Sequence, residues 1–202
     1  MTSPTTNVPG RCGSARRTTS ETECSARVTL DAGGEGAAAT GLGFLNHMLA
    51  ALARHSGIDL EVTCKGDLHV DDHHSVEDTA LVLGSALDAA LADRTGIARF
   101  GSAYAPLDES LARAVIDLSG RPGAWVDLAL TRERLGDVSC ENLPHFFRSL
   151  AVTLRATIHV DVLKGENDHH KAEAAFKAFA LALREAVSLR TPGAVPSTKG
   201  VM

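Results

Sequence analysis

The histidines of this chain fall in a pattern suited to holding metal ions. Nine are present, and four of them form two copies of one motif, His73-His74-Ser75-Val76-Glu77 and His169-His170-Lys171-Ala172-Glu173. Each copy follows a single histidine set in an apolar, helix-like stretch: His47 precedes its pair by 26 positions and His145 by 24. At a helix start, positions i and i+4 lie about 40° apart around the axis. His73 with Glu77, and His169 with Glu173, can therefore chelate one ion each. The intervening His74 or His170 points about 100° away and can reach a second ion, or pair with the glutamate at i+3. The partition of ligands between ions stays open. His47, His73, His74, Glu77, His145, His169, His170 and Glu173 together offer about four ligands to each of two ions, leaving about two positions per ion for substrate or water in an octahedral shell. A nitrogen and oxygen set without thiolate suits manganese, iron or cobalt better than a closed structural zinc site.

A single His-His pair at a helix start is usually an exposed accident of composition. The repetition of the whole constellation, lone histidine included, is what carries the reading. His55, His69 and His159 have no repeated partners and read as surface or strand residues. Asp71, Asp72 and Asp168 read as helix caps rather than ligands.

The elements that must position these side chains are themselves written twice. Residues 1–16 are polar, with Ser, Thr, Pro, Gly and Arg, and read as a loose arm. CSARVTL alternates as a half-buried strand, GFLNHMLAALARHSG is a helix closed by Gly57, IDLEVTC is a strand and LHV a short one. A long helix follows, with Val76, Ala80, Leu83, Leu87 and Leu91 on one face. In the second half IARFGSAYAPL, LARAVIDL and AWVDLAL read as strands, ENLPHFFRSLAVTLR as a helix, and TIHVDVL as a strand. A last helix runs from about His169 to Leu189, with Asn167 or Asp168 as its cap. The expected division is a first α+β repeat at 17–96, a second at 97–190, and an irregular tail at 191–202. The fold class is α+β by internal duplication, two similar modules each with a mainly antiparallel sheet covered on one face by two helices. The net charge of −5 argues against a nucleic-acid-binding surface. No apolar run is long enough to span a membrane. The four cysteines show no CxxC pair and no tight framework, which fits a reducing, cytoplasmic setting.

FLNHMLAALARHSGIDLEV, GDLHVDDHHSVEDTALVLGSAL, GSAYAPLDESLARAVIDLSGRP, DHHKAEAAFKAFALAL and PSTKG, in that order from about Arg17 to the C-terminus, resemble the imidazoleglycerol-phosphate dehydratase family. The resemblance implies a ribosomal protein S5 domain 2-like duplication and a hydro-lyase of histidine biosynthesis. It implies two Mn2+ per active site, held by the eight residues named above. It also implies a homo-oligomer of 24 subunits with active sites between subunits. Glu21 matches a glutamate that contacts substrate and moves protons, and Glu77 and Glu173 are the other candidate catalytic carboxylates. Arg99 and Arg121 match a phosphate clamp, a task suited to the bidentate guanidinium. Lys177, Ser197 and Lys199 are further substrate contacts on the same resemblance. Asn46 stands where the family usually has Asp, and Pro144 where Glu is expected.

The implied reaction dehydrates D-erythro-imidazole glycerol phosphate to imidazole acetol phosphate. The proton to be removed has no adjacent carbonyl, so acidity must come through the ring, by loss of its N–H to an imidazolate at the metals. A di-metal phosphate-ester hydrolase could use the same ligands but would release phosphate. A metal-storing cage would have no need of a phosphate clamp, and a histidine-based assembly switch no need of glutamate at i+4.

Overall fold

The computed structural model describes residues 10–190. The first half runs β1 (Cys12–Thr18), β2 (Thr22–Thr29), β3 (Gly36–Ala39), α1 (Gly43–Ser56), β4 (Asp59–Gly66) and α2 (His73–Leu91). The second runs β5 (Phe100–Leu107), β6 (Ser110–Asp117), β7 (Gly123–Asp127), a short hairpin of β8 (Arg134–Leu135) and β9 (Val138–Ser139), α3 (Asn142–Leu154), β10 (Thr157–Lys164) and α4 (Asp168–Val187). Without the hairpin the two orders are identical.

The topology is duplicated as well. The sheets read β1-β2-β4-β3 and β5-β6-β10-β7. In each, three strands are antiparallel and the last, β3 or β7, runs parallel to its neighbour. Helices α1 and α2 cover the first sheet, and α3 and α4 the second; α2 then packs on α3, and α1 on α4. The four helices thus lie between the sheets around one continuous core. Small residues set the spacing. A Cβ on Gly13 would come within 2.0 Å of Ala86 O, and one on Gly101 within 2.0 Å of Ala182 O, the same helix-on-strand contact in both halves. Larger side chains fill the second half, where Phe147 packs against Phe176 and Phe179 at ring separations of 4.8 and 5.3 Å.

The apolar stripe expected on α2 is buried throughout, from Val76 to Leu91. Other expectations need correction. Cys12–Thr18 is a strand rather than part of a loose arm, because exposed Cys12, Ser14 and Arg16 alternate with buried Gly13 and half-buried Ala15 at the edge of the sheet. LHV is a turn: Val70 N–H donates to Asp67 O at 2.7 Å. Strand β3 is built from Gly and Ala alone, residues of low strand propensity, and is held by its pairing to β4 and by the packing of α1 against it. The register of β2 on β4 sets Cys24 directly opposite Cys64, and the two form a disulfide that a separation of 40 residues concealed. Among the described residues no helix is long and apolar enough to cross a membrane.

Candidate metal centre

Both motif helices begin with the same device. At α2 the His73 N–H donates to Asp71 Oδ1 at 2.8 Å, and at α4 the His169 N–H donates to Asn167 Oδ1 at 2.9 Å. These bonds satisfy first-turn amides that have no partner within the helix. The next residue in each case, Asp72 or Asp168, is almost fully buried and does different work. Asp72 accepts from Ser139 N and Oγ, both at 2.7 Å, and from Asn142 Nδ2 at 2.9 Å. Asp168 accepts from Thr131 N and Arg132 N, both at 2.7 Å, and from Lys171 Nζ at 2.8 Å. Burial pushes both carboxyls up, but these donors outweigh it and hold each below the usual aspartate value. The two aspartates thereby tie the segment from Thr131 to Asn142, hairpin included, to the starts of both motif helices. Neither is a side-chain cap of its helix, as the sequence suggested.

The helix pairing then settles which histidines meet within one chain. His47 on α1 meets His169 and Glu173 on α4, with Glu173 Oε2 at 3.1 Å from His47 Nε2 and 3.3 Å from His169 Nε2. His145 on α3 meets His73 and Glu77 on α2: Glu77 Oε1 lies 3.3 Å from His145 Nε2, and the His73 and His145 rings stack at 4.7 Å. In each trio the ligand atoms lie within 4.8 Å of one another. Each therefore takes residues from both repeats, so the lone histidine serves the other half's motif. Burial raises the Glu173 carboxyl pKa, but Lys177, with Nζ at 2.7 Å from Oε1, and His47 bring it below the usual range.

His74 and His170 turn away from these trios, as the 100° step requires. The His74 Nδ1 faces Asp67 at 3.1 Å, and its Nε2 lies 3.6 Å from Glu21. The His170 Nδ1 faces Glu109 at 2.7 Å, and its Nε2 lies 3.8 Å from Asp108. The carboxylates raise both imidazoles above their ordinary value, Asp67 for His74 and Glu109 for His170. Glu109 is pulled well below the carboxylate range, by His170 first and then by the Asn167 and Glu166 amides.

The remaining candidates are scattered in the single chain. Arg99 makes a two-pronged contact with Asp117 at 2.7 and 3.1 Å, and Arg121 approaches the same carboxylate at 3.8 Å. Arg99 N–H donates to Ala186 O, near the end of α4 opposite to His169 and roughly 25 Å from it along the axis at 1.5 Å per residue. The arginines converge with each other but not with either trio. Ser197 and Lys199 lie outside the described residues. Asn46 Oδ1 accepts from Thr40 N and Oγ1 at 3.0 and 2.8 Å, which pins the loop before α1 rather than orienting His47. Pro144 sits in the first turn of α3, where a missing N–H costs no intrahelical bond, and the helix is undisturbed.

Four residues escaped the sequence reading as site elements: Asp67, Glu109, Asp72 and Asn142. The Asp67 and Glu109 carboxylates lie seven and 61 positions from the imidazoles they face, and no spacing rule connects them. The donors of each trio are imidazole and carboxylate only, and the free cysteines Cys12 and Cys140 belong to neither. That set fits an octahedral first-row ion and not a thiolate-rich structural zinc site.

A family model described as imidazoleglycerol-phosphate dehydratase matches residues 40–183. An imidazoleglycerol-phosphate dehydratase of Phytophthora nicotianae is 55% identical over 186 residues, covering 92% of this chain and 41% of that protein. One of Kluyveromyces lactis is 58% identical over 163 residues, covering 81% of this chain and 74% of the relative. Among solved structures, the imidazoleglycerol-phosphate dehydratase of Staphylococcus aureus superposes with a TM-score of 0.79 at 37% identity, over 88% of this chain and 99% of that one.

Proposed function

The chain belongs to the imidazoleglycerol-phosphate dehydratase family, and from that premise we propose that it dehydrates imidazole glycerol phosphate to imidazole acetol phosphate at a di-manganese site. The observation that carries the proposal is the pair of trios, His47–His169–Glu173 and His73–His145–Glu77, each assembled across the two repeats. When bound, manganese supplies Lewis-acid polarisation of the substrate's imidazole ring.

The chain's own residues do the rest. Each trio offers three ligands, while His74 and His170 point to a different surface. The fourth ligand for each ion is then a His74 or His170 from a neighbouring copy, a reading that agrees with the 24-subunit homo-oligomer, active sites between subunits, that the family resemblance implies. The same logic brings Arg99 and Arg121 to the substrate phosphate from another copy, since the arginines lie far from the trios of their own chain, and the resemblance adds Ser197 and Lys199 as further phosphate contacts. The phosphate contacts supply remote binding energy that holds the ring in register. Glu21, beside His74 and exposed, carries the proton taken from the carbon chain. Lys177 restrains the Glu173 carboxylate.

The test is turnover of imidazole glycerol phosphate by metal-stripped protein before and after manganese is added. Metal-dependent formation of imidazole acetol phosphate supports the reading; release of inorganic phosphate instead would replace it with a hydrolase. Glu21→Gln should keep manganese and substrate binding and lose turnover. Near-normal turnover in that variant would assign the proton transfer to another group.

A further inference from the structure

The two trios are related by the internal duplication, yet one contact has no counterpart. His47 and His145 occupy equivalent places on α1 and α3. Three residues before each stand Phe44 and Asn142. The Phe44 ring meets His169 edge-on at 5.3 Å. Asn142 instead places its Oδ1 at 3.0 Å from His73 Nδ1 and its Nδ2 at 2.9 Å from Asp72 Oδ2.

The direction of every bond in this chain of groups is fixed. Asp72 is buried and already accepts from the Ser139 N–H and hydroxyl. An ionised carboxylate accepts only, so it must face the NH2 group of Asn142. The Asn142 carbonyl oxygen then faces His73, and a carbonyl also accepts only. His73 Nδ1 must therefore carry the proton, which leaves the lone pair on Nε2. No hydrogen-bond acceptor faces His169 Nδ1 among the described residues. His74 and His170 have carboxylate partners at Nδ1, so His169 is the exception among the four motif histidines.

We propose that Asn142, oriented by Asp72, is a positioning residue that fixes the tautomer and ring angle of His73 and so sets the metal affinity of the His73–His145–Glu77 trio alone. The inference rests on the metal-binding reading above. Outer hydrogen-bond partners of ligating histidines typically change metal affinity by about 10- to 100-fold. Asn142 is buried at the start of α3.

Metal-stripped full-length protein would be titrated with manganese alone, free Mn2+ being followed by electron paramagnetic resonance. The wild type should show two ions per chain. Asn142→Leu keeps the branched outline of the side chain and removes both hydrogen bonds. It should weaken one of the two ions by about 10- to 100-fold and leave the other within about twofold. Asp72→Asn, which removes the group that orients Asn142, should weaken the same ion. If both affinities stay within twofold of wild type in Asn142→Leu, or if both fall together, the proposal is overturned. If the wild type itself binds no manganese, the metal-binding reading fails first, and the two failures are thereby distinguished. Should Asn142→Leu not fold, nitrogen-15 spectra of the metal-free wild type decide: the His73 ring must be protonated at Nδ1, and a ring protonated at Nε2 sinks the idea.

Discussion

Gly84 sits where α2 packs against α3, the helix pair that brings the His73–His145–Glu77 trio together. It faces α3 from the middle of α2, and a Cβ added there would lie 2.3 Å from Thr153 Oγ1, 2.7 Å from Leu150 O and 2.9 Å from Leu154 N. The threonine hydroxyl can move only by giving up its bond to Leu81 O at 2.8 Å. The other two atoms are backbone and move only with the helix. Gly84→Ala gains about 1 kcal/mol of helix propensity and incurs an overpacking cost of roughly 1–3 kcal/mol. The balance is a net loss of roughly 1 kcal/mol, or about 2–4 °C in Tm for a chain of this size. The displaced α3 carries His145, two turns away, so the His73–His145–Glu77 trio should lose manganese affinity while His47–His169–Glu173 keeps it. Thermal melting of metal-free protein with a parallel manganese titration reads both effects. Gly33→Ala is the neutral control, since nothing lies within 4 Å of a Cβ there. A Gly84→Ala variant that melts higher than wild type, by the full propensity gain, would refute the close helix approach and the coupling drawn from it.

Three further outcomes follow from the same geometry. Asp168→Asn leaves Lys171 buried without its carboxylate and should cost about 3–5 kcal/mol in denaturant unfolding at pH 7. Because the folded carboxyl is depressed, its contribution is fully present above the ordinary aspartate value near 4 and is lost as pH falls through the lower folded value. The gap between wild type and variant should therefore narrow by roughly 1 kcal/mol at pH 3; an unchanged gap would mean that the charge is not what stabilises. His47→Ala and His145→Ala should each leave one tight manganese per chain, and the double variant none, by metal analysis after dialysis. Loss of both ions in either single variant would show that the trios are not separate sites.

The candidate ligands of the two trios were legible because chelation needs a short, repeated spacing, and His73–Glu77 and His169–Glu173 have it. Their grouping was not, because it depends on which helices pack together. His47 is 126 positions from Glu173 in the chain and 3.1 Å from it in space. The strands with alternating burial, such as β2 and β6, were equally legible, since their apolar residues repeat every second position. Strand β3 and the β8–β9 hairpin carry no such pattern, being four small residues and two pairs of residues. The outer partners of these candidate ligands were hidden for a further reason. Asp72 looks like a cap in sequence because it precedes a helix, but its acceptors point across to Ser139 and Asn142 of the other repeat.

This crossing of repeats has a thermodynamic consequence. Neither half contains a complete trio: the first supplies one ligand to the His47 site and two to the His73 site, and the second does the reverse. An ion bound to either trio therefore recognises the packed α1–α4 or α2–α3 pair, and a chain whose halves have separated cannot offer it. Binding to the folded state alone stabilises by RT ln(1 + [M]/Kd), about 2.7 kcal/mol per site at 100 times the dissociation constant. With two such sites, manganese at that level should raise unfolding free energy by roughly 5 kcal/mol, an amount comparable with the stability of many whole domains. His47→Ala or His145→Ala should each halve that increment while changing the metal-free stability little, since both histidines are only partly buried. A manganese increment that survives intact in either variant would show that the ion is held by something other than the junction of the repeats.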